Sequence, residues 1–413
     1  MNLKTKLYLA SFFISSAACG NEAFQPTKAW QELNSNLVTH YAYLEDFEGY
    51  QQSKQLFAAK LKNIKTKQGF IDLSQAYLRH FTDPHLNMGP LNEDDYIVYP
   101  TGADLYAEFV GGSAVIQDVK RDSAADIAGL RPGNTVASIN NQTVTAAVED
   151  VMQVPFSSLS HQQRNYALNV ALGGKRYQPR TIELIKQGEI TKVTLAASYD
   201  AINALSDGPK VSFNKLGNFG YIRFNNAMGN EQTVVEFTKA LQALGKVTGY
   251  ILDLRNTPSG GNTGVAEPIL GHFTDSKAVY QQYRTQTPAN NYQSAVLEQA
   301  FATPQQPQVT VPFVVLAGRW TGSIGEGMTI GFDALGAKAI IGAPMADLLG
   351  GIKRLSLNDS GAWVEVGFER LYHADGSFRE AFEPDMLRPG DMDKSGNDVA
   401  LETAIKVLGQ NIQ

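Results

Sequence analysis

The chain has a single cysteine, Cys19, in 413 residues. A lone thiol closes no internal disulfide, so no disulfide framework holds this fold. Basic runs are missing and the net charge is −6, which argues against nucleic acid as a partner. No His, Cys or carboxylate cluster has metal-ligand spacing, and neither G-x-x-x-x-G-K-[ST] nor G-x-G-x-x-G occurs. Neither metal nor cofactor is therefore expected. Long apolar runs are missing too. The stretch Leu7 to Ile14 is too short to span a bilayer, and no later segment is longer and as apolar.

That short run follows Lys4 and Lys6 and precedes small residues, in "MNLKTKLYLASFFISSAACG". The pattern is that of a secretory signal over residues 1–18, so the mature chain is expected in the periplasm. "SAAC" resembles the lipobox of bacterial lipoproteins, although Ser16 stands where leucine is usual. The resemblance implies lipid attachment at Cys19 and anchorage to a bacterial membrane. Cleavage after Ala18 that leaves a free thiol is the alternative.

An apolar fraction of 43 % over this length suits two or three globular domains. From Thr27 to about Leu78 apolar residues recur at helical spacing, with Ser53 and Asp72 as candidate caps. "TDPHLNMGP" then breaks the pattern as a loop, with Asp83 as its turn-forming residue. Between Thr101 and Val151 short β-type runs surround a small helix, Ser123 to Ala128. "SAADIAGL", the "RPGN" turn and the strand "TVASINNQTV" together resemble a PDZ domain. The resemblance implies a peptide-binding edge at Tyr106, Phe109, Val110 and Gly111, where an added strand could pair its backbone. A purely bracing role for this module is the alternative. Beyond Val211 strands alternate with helices. "FGYIRF", "GYILDLRN" and "VPFVVLAG" read as buried strands of an α/β layer.

Two loops after such strands carry chemistry. "NTPSGGNTG" follows one strand and offers glycine amides that can converge on a negative atom. "GRWTGSIGEGMTIGF" follows another and sets Ser323 between glycine and a helix start. Unpaired N–H groups and the helix dipole would favour an oxyanion there. Ser323 with Glu326 also spells a capping box, so a purely structural role stays open. The G-x-S-x-G elbow is not met, because Thr321 stands two residues before Ser323.

The order of these pieces, from the "DPH" loop and PDZ-like module to "YILDLRNTPSGG", "SIGE" and "EPD", resembles the S41 peptidase family of C-terminal processing and tricorn-type proteases. The resemblance implies an α/β chain: a helical N-terminal region over 19–98, a PDZ-like domain over 99–205 and a ClpP/crotonase-like protease core over 206–413. It implies Ser323 as nucleophile and Gly260, Gly261 and Ile324 as the oxyanion hole. A serine needs a base. One branch of the family uses a lysine after the strand that follows the nucleophile helix; here Lys353 is the nearest. The other uses a histidine from the loop before the PDZ-like module, which falls on His85, oriented by a late carboxylate, Glu380 or else Glu383. The expected activity is that of an exported serine endopeptidase acting on extended or unfolded polypeptides through an acyl-enzyme. A catalytically inactive protein of the same fold that binds peptides or lipophilic ligands is the alternative. A lipase or esterase is disfavoured by the missing elbow.

Overall fold

A computed structural model describes residues 24–186 and 188–410. The signal segment and Cys19 lie outside the described residues.

Three α-helices open the described residues: Pro26–His40, Tyr50–Ala58 and Lys67–Arg79. Ala29, Trp30, Leu33 and Leu37 line one stripe of the first helix and are buried. The third helix is capped by Thr66, whose extended backbone lets its hydroxyl accept the Gly69 N–H at 3.0 Å. The expected caps lie elsewhere. Asp72 sits inside that helix and accepts from Gln68 at 2.7 Å, and Ser53 is buried within the second helix. A cap needs non-helical backbone, and neither residue has it.

Five antiparallel strands follow, ordered Leu105–Val110, Ser113–Val119, Thr135–Ile139, Arg180–Lys186 and Glu189–Leu195. The expected single strand "TVASINNQTV" is a hairpin. Asn140 and Asn141 both take positive φ, which asparagine tolerates, and Gln142–Thr143 folds back on the strand before it. Helices Val144–Met152 and His161–Gly173 flank this sheet. Its apolar face and the N-terminal helices share one hydrophobic cluster.

The core sheet runs Met386–Leu387, Ile340–Gly342, Phe313–Ala317, Gly249–Asp253, Phe219–Phe224 and Val211–Leu216. All pairs are parallel except the last. Phe237, Ile269, Met328 and Phe332 pack on one face, and Ala400, Ala404 and Leu408 on the other. Burial on both faces explains why these strands read as continuous apolar runs. This is the mixed α/β architecture expected, with its helical N-terminal region.

One short pairing ties the early chain to the late chain. Asn87–Gly89 joins Ala362–Gly367 antiparallel, with Met88 opposite Val364, in a sheet completed by Ile352–Leu357. It carries the loop just before residue 87 across to the carboxyl-terminal half of the molecule.

Candidate active site

Strands 249–253 and 313–317 are parallel neighbours, so the loops at their carboxyl ends emerge side by side. Threonine hydroxyls lace the loops together. Thr321 Oγ1 donates to the Leu254 carbonyl at 3.1 Å and accepts the Gly318 N–H at 3.0 Å. The Thr257 N–H donates to the Trp320 carbonyl at 3.0 Å.

Ser323 tops this pair of loops, at φ 54° and ψ −113°, directly before helix Ile324–Ala334. Few non-glycine residues hold such angles, and the strain is retained only where surroundings enforce it. Part of that enforcement is Glu326, whose carboxyl accepts the Ser323 N–H at 2.6 Å. The backbone half of the expected capping box is thus formed. Burial pushes the Glu326 carboxyl up to about 8, against the pull of Arg379.

Gly260 lies against the serine. A Cβ there would fall 2.5 Å from Ser323 Cβ and 2.9 Å from its Oγ, and its φ is +64°. A Cβ on Gly261 would strike the Met228 carbonyl carbon and oxygen at 2.1 Å. Both positions require glycine. Of the three expected oxyanion donors, the Gly260 N–H is engaged by the Thr257 carbonyl at 3.1 Å. The Gly261 and Ile324 N–H groups have no protein acceptor among the described residues.

His85 is 6 % exposed. Asp83 accepts its backbone N–H at 2.9 Å, the local turn that a carboxylate two residues back supplies. Asp83 is itself held by the Tyr41 hydroxyl at 2.9 Å, and burial raises its carboxyl to about 7. The His85 ring packs against the loop after the Ile340–Gly342 strand, with Nδ1 3.1 Å from the Leu349 carbonyl. A carbonyl can only accept, so Nδ1 carries the proton and Nε2 is the basic nitrogen. Burial lowers the ring to about 4, partly countered by that carbonyl. The imidazole is therefore neutral at pH 7. Among the described residues no hydrogen bond joins it to the Ser323 hydroxyl or to Glu380.

Glu380 Oε1 takes the Tyr43 hydroxyl at 2.7 Å and the Gly350 N–H at 3.3 Å. Its Oε2 is buried and has no partner among the described residues. Glu383 is exposed. Lys353 points elsewhere: its Nζ lies 3.0 Å from His40 Nδ1 on the first helix. Arg379, which no sequence motif marks, is buried and reaches the Leu348 carbonyl, the Ser323 carbonyl at 3.4 Å and the Glu380 carboxylate at 3.6 Å. It and Tyr43 are single polar residues without motif context. The only available signal was the placement of Arg379 beside Glu380.

A cavity of about 400 Å³ opens beside these loops, lined among others by Pro84, Tyr106, Arg319, Met345 and Asp347. The Arg319 guanidinium stacks 4.1 Å from the Tyr106 ring centroid. This space adjoins both the histidine loop, through Thr82 and Pro84, and the serine loop, through Arg319.

Comparison with known proteins bears on the family and the fold. Residues 218–387 match the family described as Peptidase family S41. The carboxy-terminal processing protease CtpB of Bacillus subtilis (strain 168) is 27% identical over 173 residues. That alignment takes in 41% of this chain and 32% of CtpB, so it spans about a third of the relative's length. Two solved structures share the fold over nearly their whole length. The photosystem II D1 C-terminal processing protease has TM-score 0.56 at 18% identity, covering 94% of this chain and 97% of that one. Mature CPAF has TM-score 0.60 at 13% identity, covering 94% and 99%. Residues 218–387 of this chain are thus similar to peptidase family S41, and the likeness of fold extends over nearly the whole chain.

Proposed function

We propose that this protein is a serine-type peptidase that hydrolyses peptide bonds of extended polypeptides through an acyl-enzyme on Ser323. The observation that carries the reading is Ser323 itself, held at positive φ on a helix N-terminus with Gly260 packed against its side chain. A residue that only capped a helix would gain nothing from such strain.

In this reading Ser323 Oγ attacks the scissile carbonyl while its proton passes to His85 Nε2. The Gly261 and Ile324 N–H groups face the developing oxyanion, next to Gly260. The imidazolium then protonates the leaving amine, and water repeats the sequence on the ester. A neutral ring whose Nδ1 faces the Leu349 carbonyl leaves Nε2 as the basic nitrogen, which supports His85 as the base; hydrogen bonds of this kind commonly tighten only when substrate binds. Lys353, turned toward His40, is poorly placed to compete. Glu380 is the carboxylate on offer to steady the imidazolium, since its Oε2 has no other partner among the described residues. Export through residues 1–18, residence in the periplasm and lipidation at Cys19 belong to the same reading, on sequence grounds.

A fluorophosphonate probe tests it. The expected result is labelling of the wild type on Ser323 and none of Ser323→Ala, together with cleavage of casein by the wild type only. A folded wild-type protein that neither labels nor cleaves would leave the non-catalytic binding reading in its place.

A further inference from the structure

The strand Leu105–Val110 forms one edge of the six-stranded sheet that includes Gln142–Thr143, where an incoming peptide could add a strand. The edge-side backbone groups of Ala107 and Phe109 are already taken. Asn169 accepts the Ala107 N–H at 2.8 Å and donates to the Ala107 carbonyl at 2.9 Å. Asn165 accepts the Phe109 N–H at 2.9 Å. His161 Nε2 lies 3.4 Å from the Phe109 carbonyl, and Asn165 Nδ2 lies 3.5 Å from His161 Nδ1. All three residues stand on the helix His161–Gly173, four apart.

The match has a geometric basis. Four helical residues rise about 6 Å. Two strand residues, the step between successive outward-facing positions, rise about 6.7 Å. A helix laid along the edge can therefore answer alternate strand residues with every fourth side chain. Ser160 fixes the phase of that helix: it accepts the Gln163 N–H at 3.2 Å, and Gln163 returns a bond to Ser160 at 3.0 Å. The side-chain amide of Asn169 supplies one donor and one acceptor, as a neighbouring strand would.

We infer that this edge is closed by the protein's own helix and is not a docking strand. Its functional consequence, which rests on the peptidase reading, is that substrates are chosen without strand addition at 105–110. Cleavage is then indifferent to whether the substrate ends in a free carboxylate. The closed edge instead forms a wall of the cleft, with Tyr106, Glu108 and Asn165 facing the space beside Pro84 and Arg319.

Backbone amide exchange tests the closure directly. The Ala107 and Phe109 amides should be protected in the wild type. Asn169→Ala should release Ala107, and Asn165→Ala should release Phe109 and spare Ala107. Should the buried Asn169→Ala fail to fold, the more exposed Asn165→Ala still decides. Rapid exchange of both amides in the wild type, or protection unmoved in Asn165→Ala, overturns the inference. Its consequence is read with paired fluorogenic peptides that end in a free acid or an amide. Equal kcat/KM is expected, and a preference for the acid of roughly tenfold or more overturns it. If no peptide is cleaved and no probe labels Ser323, the peptidase reading fails while the exchange result still judges the edge.

Discussion

His85 and Glu380 grip opposite ends of one peptide unit. The Leu349 carbonyl faces the imidazole Nδ1 at 3.1 Å, and the Gly350 N–H faces Glu380 Oε1 at 3.3 Å. The peptide thus orients the ring on one side and the carboxylate on the other. Gly350 has φ +70°, and a Cβ there would meet the Glu369 carbonyl oxygen at 2.1 Å. Gly350→Ala must therefore move this peptide. It should lower kcat and destabilise the fold by about 1–3 kcal/mol, measured by steady-state kinetics and chemical denaturation. Wild-type kcat in a folded Gly350→Ala protein would remove the peptide from the proposed machinery.

On the peptidase reading, the low basicity of His85 sets the acid limit. Burial holds the ring near 4, so kcat/KM should stay level well below the ordinary histidine range and fall only as pH approaches 4. An acid limb at about 6.5 would contradict a buried, neutral base.

Stability carries the same signature. Because the folded value lies below the unfolded one, the unfolded chain binds more protons between about 6.5 and 4. His85 therefore contributes stability above that window, and the contribution is lost as pH falls through it. Asp83 works in the opposite sense, since its folded value of about 7 favours the native state as pH drops. Denaturation of His85→Gln beside the wild type isolates the histidine part. The variant should lose less stability than the wild type on going from pH 6.5 to 4.

Strain at Ser323 separates activity from stability. Glycine accepts φ 54° without a Cβ penalty, so Ser323→Gly should abolish hydrolysis and leave stability unchanged or raised, by about 1 kcal/mol at most. Thermal denaturation reads the second effect. A clear loss of stability would mean that the hydroxyl, and not the backbone, holds this turn.

The identity of the base is open to direct comparison. His85→Ala should cost on the order of 10^4-fold or more in kcat. Lys353→Ala, which removes a contact with His40, should stay near wild type. The reverse pattern would transfer the role to the lysine.

Local chemistry was legible in the sequence wherever a residue announced its own backbone. Glycine on either side of the serine turn, Asp83 two before His85, and apolar runs buried on both faces all read correctly. Long-range placement was not. Only three residues, Asn87–Gly89, pair with the late strand that draws His85 to Leu349, and so short a strand has no periodicity to read. Tyr43 and Arg379 act through a single hydroxyl and a single guanidinium, and neither sits in a motif. The asparagine ladder on helix 161–173 escaped because each member looks like ordinary helix-surface polarity. Its meaning appears only once the strand edge lies beside it. Asn140–Asn141 was missed locally: two asparagines inside an apolar run marked a hairpin turn.

The pairing of Met88 with Val364 bears on biogenesis. The imidazole meets its anchoring carbonyl 264 residues further along the chain. A polypeptide still emerging during synthesis therefore possesses the hydroxyl-bearing turn before it can seat the ring. On the peptidase reading, hydrolysis then waits for strand 362–367, whose pairing with residues 87–89 seats the ring, a safeguard that comes from chain order alone.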